Sequence, residues 1–340
     1  MSGNLGMERQ TSAVTISDIA EKLGVSKSTV SRALNCKGRI GAETRRKILE
    51  MAESCNYIPN SMAKGLVLRH TFNIGVVVPK DADKGDIPFF QNCLIGISEA
   101  AYKLDYDVVL VVQGGGDITP LRRLVTNRKV DGVILTRLEE DDESVKYLKK
   151  EGVPFLVFGT SDDEDIYQID SDQVSGCFEM TKFMISKGCR RVAVLGGNKN
   201  YRVNAYRYKG FEDACISSGI SLDECSVLWG MDSQEALDKA LPGLLEENPQ
   251  CLVCMDDAIC VYVLKWLKQN DYEVPADIQV ISFYDNQVLE NNTPPVTALN
   301  VNVSSFTSLA SRILVGLIEG KEVDSKTTVK YELKIRESFR

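Results

Sequence analysis

From residue 71 onward the chain alternates short apolar runs with amphipathic stretches, and no other feature constrains its fold as tightly. The runs Ile74–Val78, Val108–Val112, Val133–Leu135, Phe155–Phe158, Val192–Leu195, Cys251–Met255 and Val280–Phe283 are almost wholly apolar. Strands covered on both faces need that composition, whereas half-exposed strands alternate. Helical patterns such as Phe90–Leu104, Val174–Lys187, Tyr206–Ser218 and Ala258–Gln269 lie between them. The pattern predicts parallel sheets sheathed in helices, and its length suits two such units. In open α/β sheets a ligand binds beyond the carboxyl ends of the strands, so the loops after these runs should carry the site.

The first seventy residues read differently. Residues 1–14 are polar and aperiodic, which predicts a disordered leader. Ile16, Ile19, Ala20 and Leu23 then repeat on one helical face, with Thr15 or Ser17 available as the cap and Gly24 as the stop. Ser26 is placed to cap a second helix running to about Leu34, in which Val30, Ala33 and Leu34 point inward while Lys27, Ser28, Thr29, Ser31 and Arg32 face out. A third helix is predicted over about Glu43–Ser54. Two short helices joined by a Gly-containing turn, the second with a basic polar face, form a helix-turn-helix. The spacing alone also allows an ordinary three-helix bundle with a solvated charged face.

Charge separates the same two regions. Residues 1–70 carry 11 Lys+Arg against 6 Asp+Glu, a net of +5, while the rest carries 29 against 42, a net of −13. A basic head on an acidic body implies that only the head meets a polyanion. No run approaches the roughly 18 apolar residues of a spanning helix, and the start lacks the pattern of a secretion signal, so a cytoplasmic protein without membrane contact is expected. Of ten cysteines only Cys251 and Cys254 form a CxxC, without a second pair or a nearby His, and they are read as buried reduced thiols. Gly114–Gly116 and Gly196–Gly197 fit neither phosphate-loop spacing and are read as loop glycines at the edge of the cleft. The acidic run Glu139–Glu143 is read as a solvated helix start, and no catalytic dyad, metal cluster or cofactor fingerprint stands out.

The string Val14-Thr-Ile-Ser-Asp-Ile-Ala-Glu-Lys-Leu-Gly-Val-Ser-Lys-Ser-Thr-Val-Ser-Arg-Ala-Leu-Asn35, with Asn56-Tyr-Ile-Pro-Asn-Ser-Met-Ala-Lys-Gly-Leu66, closely resembles the head and hinge of the lactose-repressor family of transcriptional regulators. The resemblance continues through Ile74-Gly-Val-Val-Val-Pro79, Val130-Asp-Gly-Val-Ile-Leu135, Lys209-Gly-Phe211, Pro294-Pro-Val-Thr297 and Leu333-Lys-Ile-Arg-Glu-Ser338. It implies an all-α helix-turn-helix head plus a bilobed α/β effector domain of two doubly wound parallel sheets, like the periplasmic sugar-binding proteins. The implied division is a leader at 1–14, a DNA-binding head at 15–58, a hinge helix and linker at 59–71, and an effector-binding and dimerisation domain at 72–340.

By the same resemblance Lys27, Ser28 and Arg32 read base edges, Ser26, Thr29, Ser31, Asn35, Tyr57 and Asn60 hold the DNA backbone, and Thr15 joins that DNA-facing set. Lys64 and Leu66 belong to a hinge helix that orders in the minor groove of bound DNA, where Leu66 wedges a base step. The effector cleft is implied to be lined by Pro79, Phe89, Phe90, Thr136, Arg137, Asp170, Arg207, Asp256, Asp257 and the Phe283–Asp285 loop. Two departures stand out. Tyr284 occupies a position where the family usually has a hydroxyl-binding Asp, and in Tyr201-Arg-Val-Asn-Ala-Tyr-Arg-Tyr208 only Arg207 keeps the family register. The cleft should therefore be flatter and more aromatic, open to a glycoside or disaccharide as well as a monosaccharide.

The implied function is a homodimeric regulator, a repressor, that binds a near-palindromic double-stranded DNA operator under control of a small-molecule effector, a carbohydrate. It needs no cofactor. A dimer is favoured over a tetramer because no leucine-heptad tail follows the last strand. The competing readings are a sugar-binding protein without regulatory DNA binding, which the basic head argues against, and an enzyme on a doubly wound fold.

Overall fold

The computed structural model describes residues 14–34, 40–55, 57, 70–80, 88–114 and 116–340. The leader and hinge-helix expectations, and the site assignments of Asn35, Asn60, Lys64 and Leu66, lie outside the described residues. The chain divides into two compact units, Met1–His70 and Thr71–Arg340.

In the first unit, α1 (Ile16–Leu23), α2 (Lys27–Leu34) and α3 (Ala42–Ser54) close over Ile19, Ala20, Val30, Ala33, Ile48 and Ala52. Thr15 starts α1 through a capping box, its backbone N–H donating to Asp18 Oδ2 at 2.7 Å while its Oγ1 accepts from Asp18 N. Gly24 stops the helix with a φ of 61°, a left-handed conformation that a side chain resists. Val25 N–H then reaches back to Ala20 O at 3.0 Å, which turns the chain sharply into α2.

In the second unit, β1 (Asn73–Pro79), α4 (Pro88–Tyr102), β2 (Asp107–Gln113), α5 (Thr119–Thr126), β3 (Gly132–Leu135), α6 (Glu143–Glu151), β4 (Phe155–Phe158) and β5 (Gln168–Ser171) build the first lobe. The chain crosses into a second lobe made of α7 (Gln173–Ser186), β6 (Val192–Leu195), α8 (Arg202–Ser217), β7 (Ser226–Leu228), α9 (Gln234–Glu246), β8 (Cys251–Cys254), α10 (Asp257–Gln269), β9 (Gln279–Ser282), α11 (Gln287–Glu290) and β10 (Thr297–Val301). It returns to the first lobe for α12 (Val303–Ile318) and β11 (Lys326–Val329), then crosses once more for β12 (Tyr331–Lys334). The sheets run β11-β5-β4-β3-β1-β2 and β12-β10-β9-β8-β6-β7, and every neighbouring pair is parallel except β10 with β12.

Burial explains the apolar runs. Ile74, Val76 and Val78 face one core with Ile97, Phe306 and Leu314, while Val77, Val133 and Leu135 face another with Leu121 and Leu148. The second sheet repeats this, and it separates the CxxC pair. Cys251 belongs to one side and Cys254 to the other, because residues three apart on a strand point to opposite faces, and both thiols are free. Gly210 lets α7 and α8 touch, since a Cβ there would overlap the carbonyl of Val174 and lie 2.9 Å from Cys177 Cβ. That contact fixes the helix carrying Arg207.

Candidate functional site

On the head, the N-terminus of α2 is a cluster of hydroxyls. Ser26 Oγ accepts from Thr29 N–H at 3.1 Å and lies 2.8 Å from both Ser28 Oγ and Thr29 Oγ1. Lys27, Ser28 and Arg32 are exposed on this helix, Thr29 and Ser31 are half-buried, and exposed Thr15 stands at the start of α1. Arg46 is held by Glu43 and Glu50 at 2.8 and 2.9 Å, whereas no described carboxylate lies within ion-pair distance of Lys27 or Arg32. Tyr57 packs against the head core, and its N–H donates to Ala52 O at 2.8 Å. A short helix with an open, cationic, hydroxyl-bearing face suits a major groove and its phosphates.

In the second unit a cavity of about 480 Å³ opens between the lobes beyond the carboxyl ends of the strands. Phe89, Phe90, Thr136 and Arg137 contribute from the first lobe, Asp170 from the crossing strand, and Arg207, Asp256, Asp257 and Tyr284 from the second lobe. Arg207 is buried on α8, with Nε donating to Gln173 Oε1 at 3.0 Å and Nη1 to Met255 O at 2.7 Å. Its Nη2 has no hydrogen-bond partner among the described residues. The guanidinium also lies 5.8 Å from the Tyr284 ring, which meets Phe89 edge to face at 5.4 Å. Asp256 caps α10 by accepting from Ile259 N–H at 2.9 Å, and Asp257 accepts from Asn286 at 2.6 Å. Asp170 accepts from Thr160 Oγ1 at 3.1 Å and from Ser171 N–H at 2.8 Å.

Burial makes these carboxyls harder to ionise than a free Asp. Burial pushes the Asp170 carboxyl up to about 6, and burial together with the neighbouring Asp256 charge pushes Asp257 up to about 7. Burial raises Asp256 as well. A carboxyl raised in the folded state keeps its proton longer there than in the unfolded chain, so these groups lower stability as pH rises from about 4 to 7. Ligand hydroxyls donating to them favour the ionised form. Binding near pH 6.5 is therefore expected to release protons, measured by calorimetry in buffers of different ionisation enthalpy. Proton uptake would mean that the ligand does not donate to Asp170 or Asp257.

Three residues assigned to the cleft lie elsewhere, and one of them, Phe283, is buried in the core of the second lobe. Pro79 ends β1 beside a separate cavity, because its side of the strand faces the loops after β2 and β3. Asp285 points away from the cleft into a bidentate pair with Arg336, both bonds 2.8 Å, and also accepts from Asn300. Conversely, Tyr201, Arg202, Asn204, Gln173 and Asp232 line the cavity without having been assigned to it. Tyr201, Asn204 and Arg207 recur every three residues, a helical stripe visible in the sequence. Arg202 ties the lobes together, donating to Thr160 O at 3.1 Å, to Asp162 at 2.5 Å and to Tyr206 Oη at 2.9 Å. Among the described residues no cluster of His, Cys, Asp and Glu could hold a metal ion, and no helix is long and apolar enough to cross a membrane.

A helix-turn-helix followed by a bilobed cavity of this kind has known counterparts. Residues 71–314 match the periplasmic binding proteins and sugar binding domain of the LacI family, and residues 15–60 match the bacterial regulatory proteins of the lacI family. The chain belongs to the LacI family. This LacI-family protein is 32% identical to the HTH-type transcriptional regulator MalR of Streptococcus pneumoniae serotype 4, over 79% of the chain and 83% of that protein. A solved complex of the transcriptional regulator CelR with cellobiose superposes with a TM-score of 0.71 at 26% identity, covering 96% of this chain and 99% of that one. The lac repressor dimer bound to operator and the anti-inducer ONPF shares the fold, with a TM-score of 0.79 at 22% identity over 96% and 99% of the two chains. Like its relatives, the LacI-family chain is a DNA-binding transcriptional regulator and not an enzyme.

Proposed function

We propose that this LacI-family regulator is a cytoplasmic, dimeric repressor that binds a near-palindromic operator and responds to a neutral sugar or glycoside held between its lobes. The observation that carries the reading is the cavity wall: the Arg207 guanidinium, with one nitrogen lacking a partner among the described residues, lines it together with the carboxylates of Asp170, Asp256 and Asp257 and the rings of Phe89, Phe90 and Tyr284. Vicinal hydroxyls donate to carboxylates and accept from a guanidinium, while the apolar face of a pyranose lies against aromatic rings. The cellobiose held by CelR supports the same ligand class.

Exposed Ile95, Tyr102, Leu110 and Val112 on α4 and on the edge strand β2 support pairing of two copies through the first lobe. In this reading Lys27, Ser28 and Arg32 specify bases, Thr15, Ser26, Thr29, Ser31 and Tyr57 hold phosphates, and residues 59–71 couple lobe closure to DNA. The test is fluorescence anisotropy on symmetric operator DNA and on random DNA, with and without sugars. Arg32→Ala should weaken operator binding by about 1–3 kcal/mol more than nonspecific binding. Equal losses on both would remove Arg32 from base reading. No preference for any symmetric DNA, under any sugar, would overturn the repressor reading.

A further inference from the structure

Arg137 and Tyr201 line two cavities at once: the effector cavity, and a second of about 680 Å³ beside the carboxyl ends of β1, β2 and β3. The Arg137 guanidinium stacks on the Tyr201 ring at 4.1 Å from its centroid and reaches the Phe90 ring at 5.1 Å. The two halves of the stack come from opposite lobes. Arg137 follows β3 in the first, and Tyr201 caps α8 in the second. A backbone bridge between Glu139 and Tyr201 closes the same seam. We infer that Arg137 and Tyr201 form a gate that limits the length of the sugar this regulator accepts.

The inference rests on the sugar reading above and adds a limit to it. A cavity of 480 Å³ sits in the lower half of the ordinary range for small-molecule sites, about 300–1,000 Å³, and suits one or two pyranose rings. On this inference a third ring passes between the guanidinium and the phenol, the stack shared by the two cavities. It then separates a cation–π pair and holds the lobes apart, so an overlong chain is penalised through closure itself. Beyond the gate the walls carry polar side chains, among them Lys80, Gln113, Asp117 and Ser144, and a hydroxylated chain meets hydrogen-bonding partners there once the gate is removed.

Isothermal titration of the full chain with α- and β-1,4-linked glucose disaccharides and tetrasaccharides tests this. The unaltered protein should bind the disaccharide of the accepted linkage at least about tenfold more tightly than its tetrasaccharide. Tyr201→Ala should reduce that ratio at least about tenfold, whatever it does to either affinity alone, and Tyr201→Phe, which keeps the ring, should leave it in place. Arg137→Ala should reduce the ratio from the other lobe, which keeps the test decisive if Tyr201→Ala does not fold. Equal affinities for both lengths in the unaltered protein, or an unchanged ratio in a folded alanine variant, overturns the gate alone. No binding of any of these sugars to the unaltered protein overturns the glucoside form of the sugar reading and the gate with it.

Discussion

Replacing Arg207 by alanine should leave operator binding in place and abolish the response to sugar. Two of the three guanidinium nitrogens are spent within the protein, on Gln173 and on the carbonyl of Met255, which aims the third at the cavity. A charge-assisted hydrogen bond to a ligand hydroxyl contributes about 1.5–3 kcal/mol, so its loss corresponds to a fall in effector affinity of about 10- to 150-fold. The orphaned Gln173 and Met255 oxygens add about 1–3 kcal/mol each in local destabilisation. Without the neighbouring cation the buried Asp170, Asp256 and Asp257 become harder to ionise and accept hydroxyl protons less well. Titration with sugar, followed by operator anisotropy at saturating sugar, reads both effects. Arg207→Lys should recover little, because an ammonium does not reach Gln173, Met255 and a ligand in one plane. A normal sugar response in the alanine variant would move the ligand out of this cavity.

A large loss of stability is expected from Arg336→Ala. Its guanidinium grips Asp285 with two 2.8 Å bonds and also donates to Val296 O at 2.7 Å, and the Asp285 side chain retains only 2% of its exposure. Removing one partner of a buried pair leaves an uncompensated charge and costs about 3–5 kcal/mol, which for a domain of this size lowers Tm by on the order of 10 °C. The double variant Asp285→Asn, Arg336→Leu should recover much of that loss, since the cost lies in the orphaned carboxylate and not in a missing attraction. Calorimetric unfolding of the three proteins measures it. Because Asp285 follows Tyr284 directly, Arg336→Ala should also loosen the cavity wall and weaken sugar binding. A double variant no more stable than the single would show that the pair itself carries the stability.

The seven apolar runs are all strands, because burial on both faces leaves a mark that composition alone reveals. Five other strands lie outside those runs, and four of them carry no such mark. β5 reads Gln-Ile-Asp-Ser, β7 has three half-buried residues, and β11 and β12 are polar edge strands whose place in a sheet is set by crossings between the lobes. In the head, Thr15, Gly24 and Ser26 act at the helix ends where their chemistry puts them, since capping is local.

The cleft was legible to a different depth. Nine of the assigned residues meet in one cavity, whereas Pro79, Phe283 and Asp285 do not. None of these positions differs in sequence character from its neighbours, because which side of a loop faces the cleft depends on partners such as Arg336, 51 residues from Asp285. The Tyr201–Asn204–Arg207 stripe was in plain view. Its meaning depended on knowing that α8 begins at the seam between the lobes.

The order in which this fold is completed has a cost for a growing polypeptide. The first sheet takes one edge strand from Lys326–Val329, although its first strand in the chain, β1, begins at Asn73, so the first lobe stays unfinished until almost the whole message has been read. The helix-turn-helix has closed its core by Ala52. At about 5–20 residues per second, ribosomes leave this reader's core complete for roughly 14–55 s before the edge strand of the first sheet is made. A nonsense mutation between these two points therefore keeps the core of the reader and leaves each sheet of the sensor without at least one edge strand.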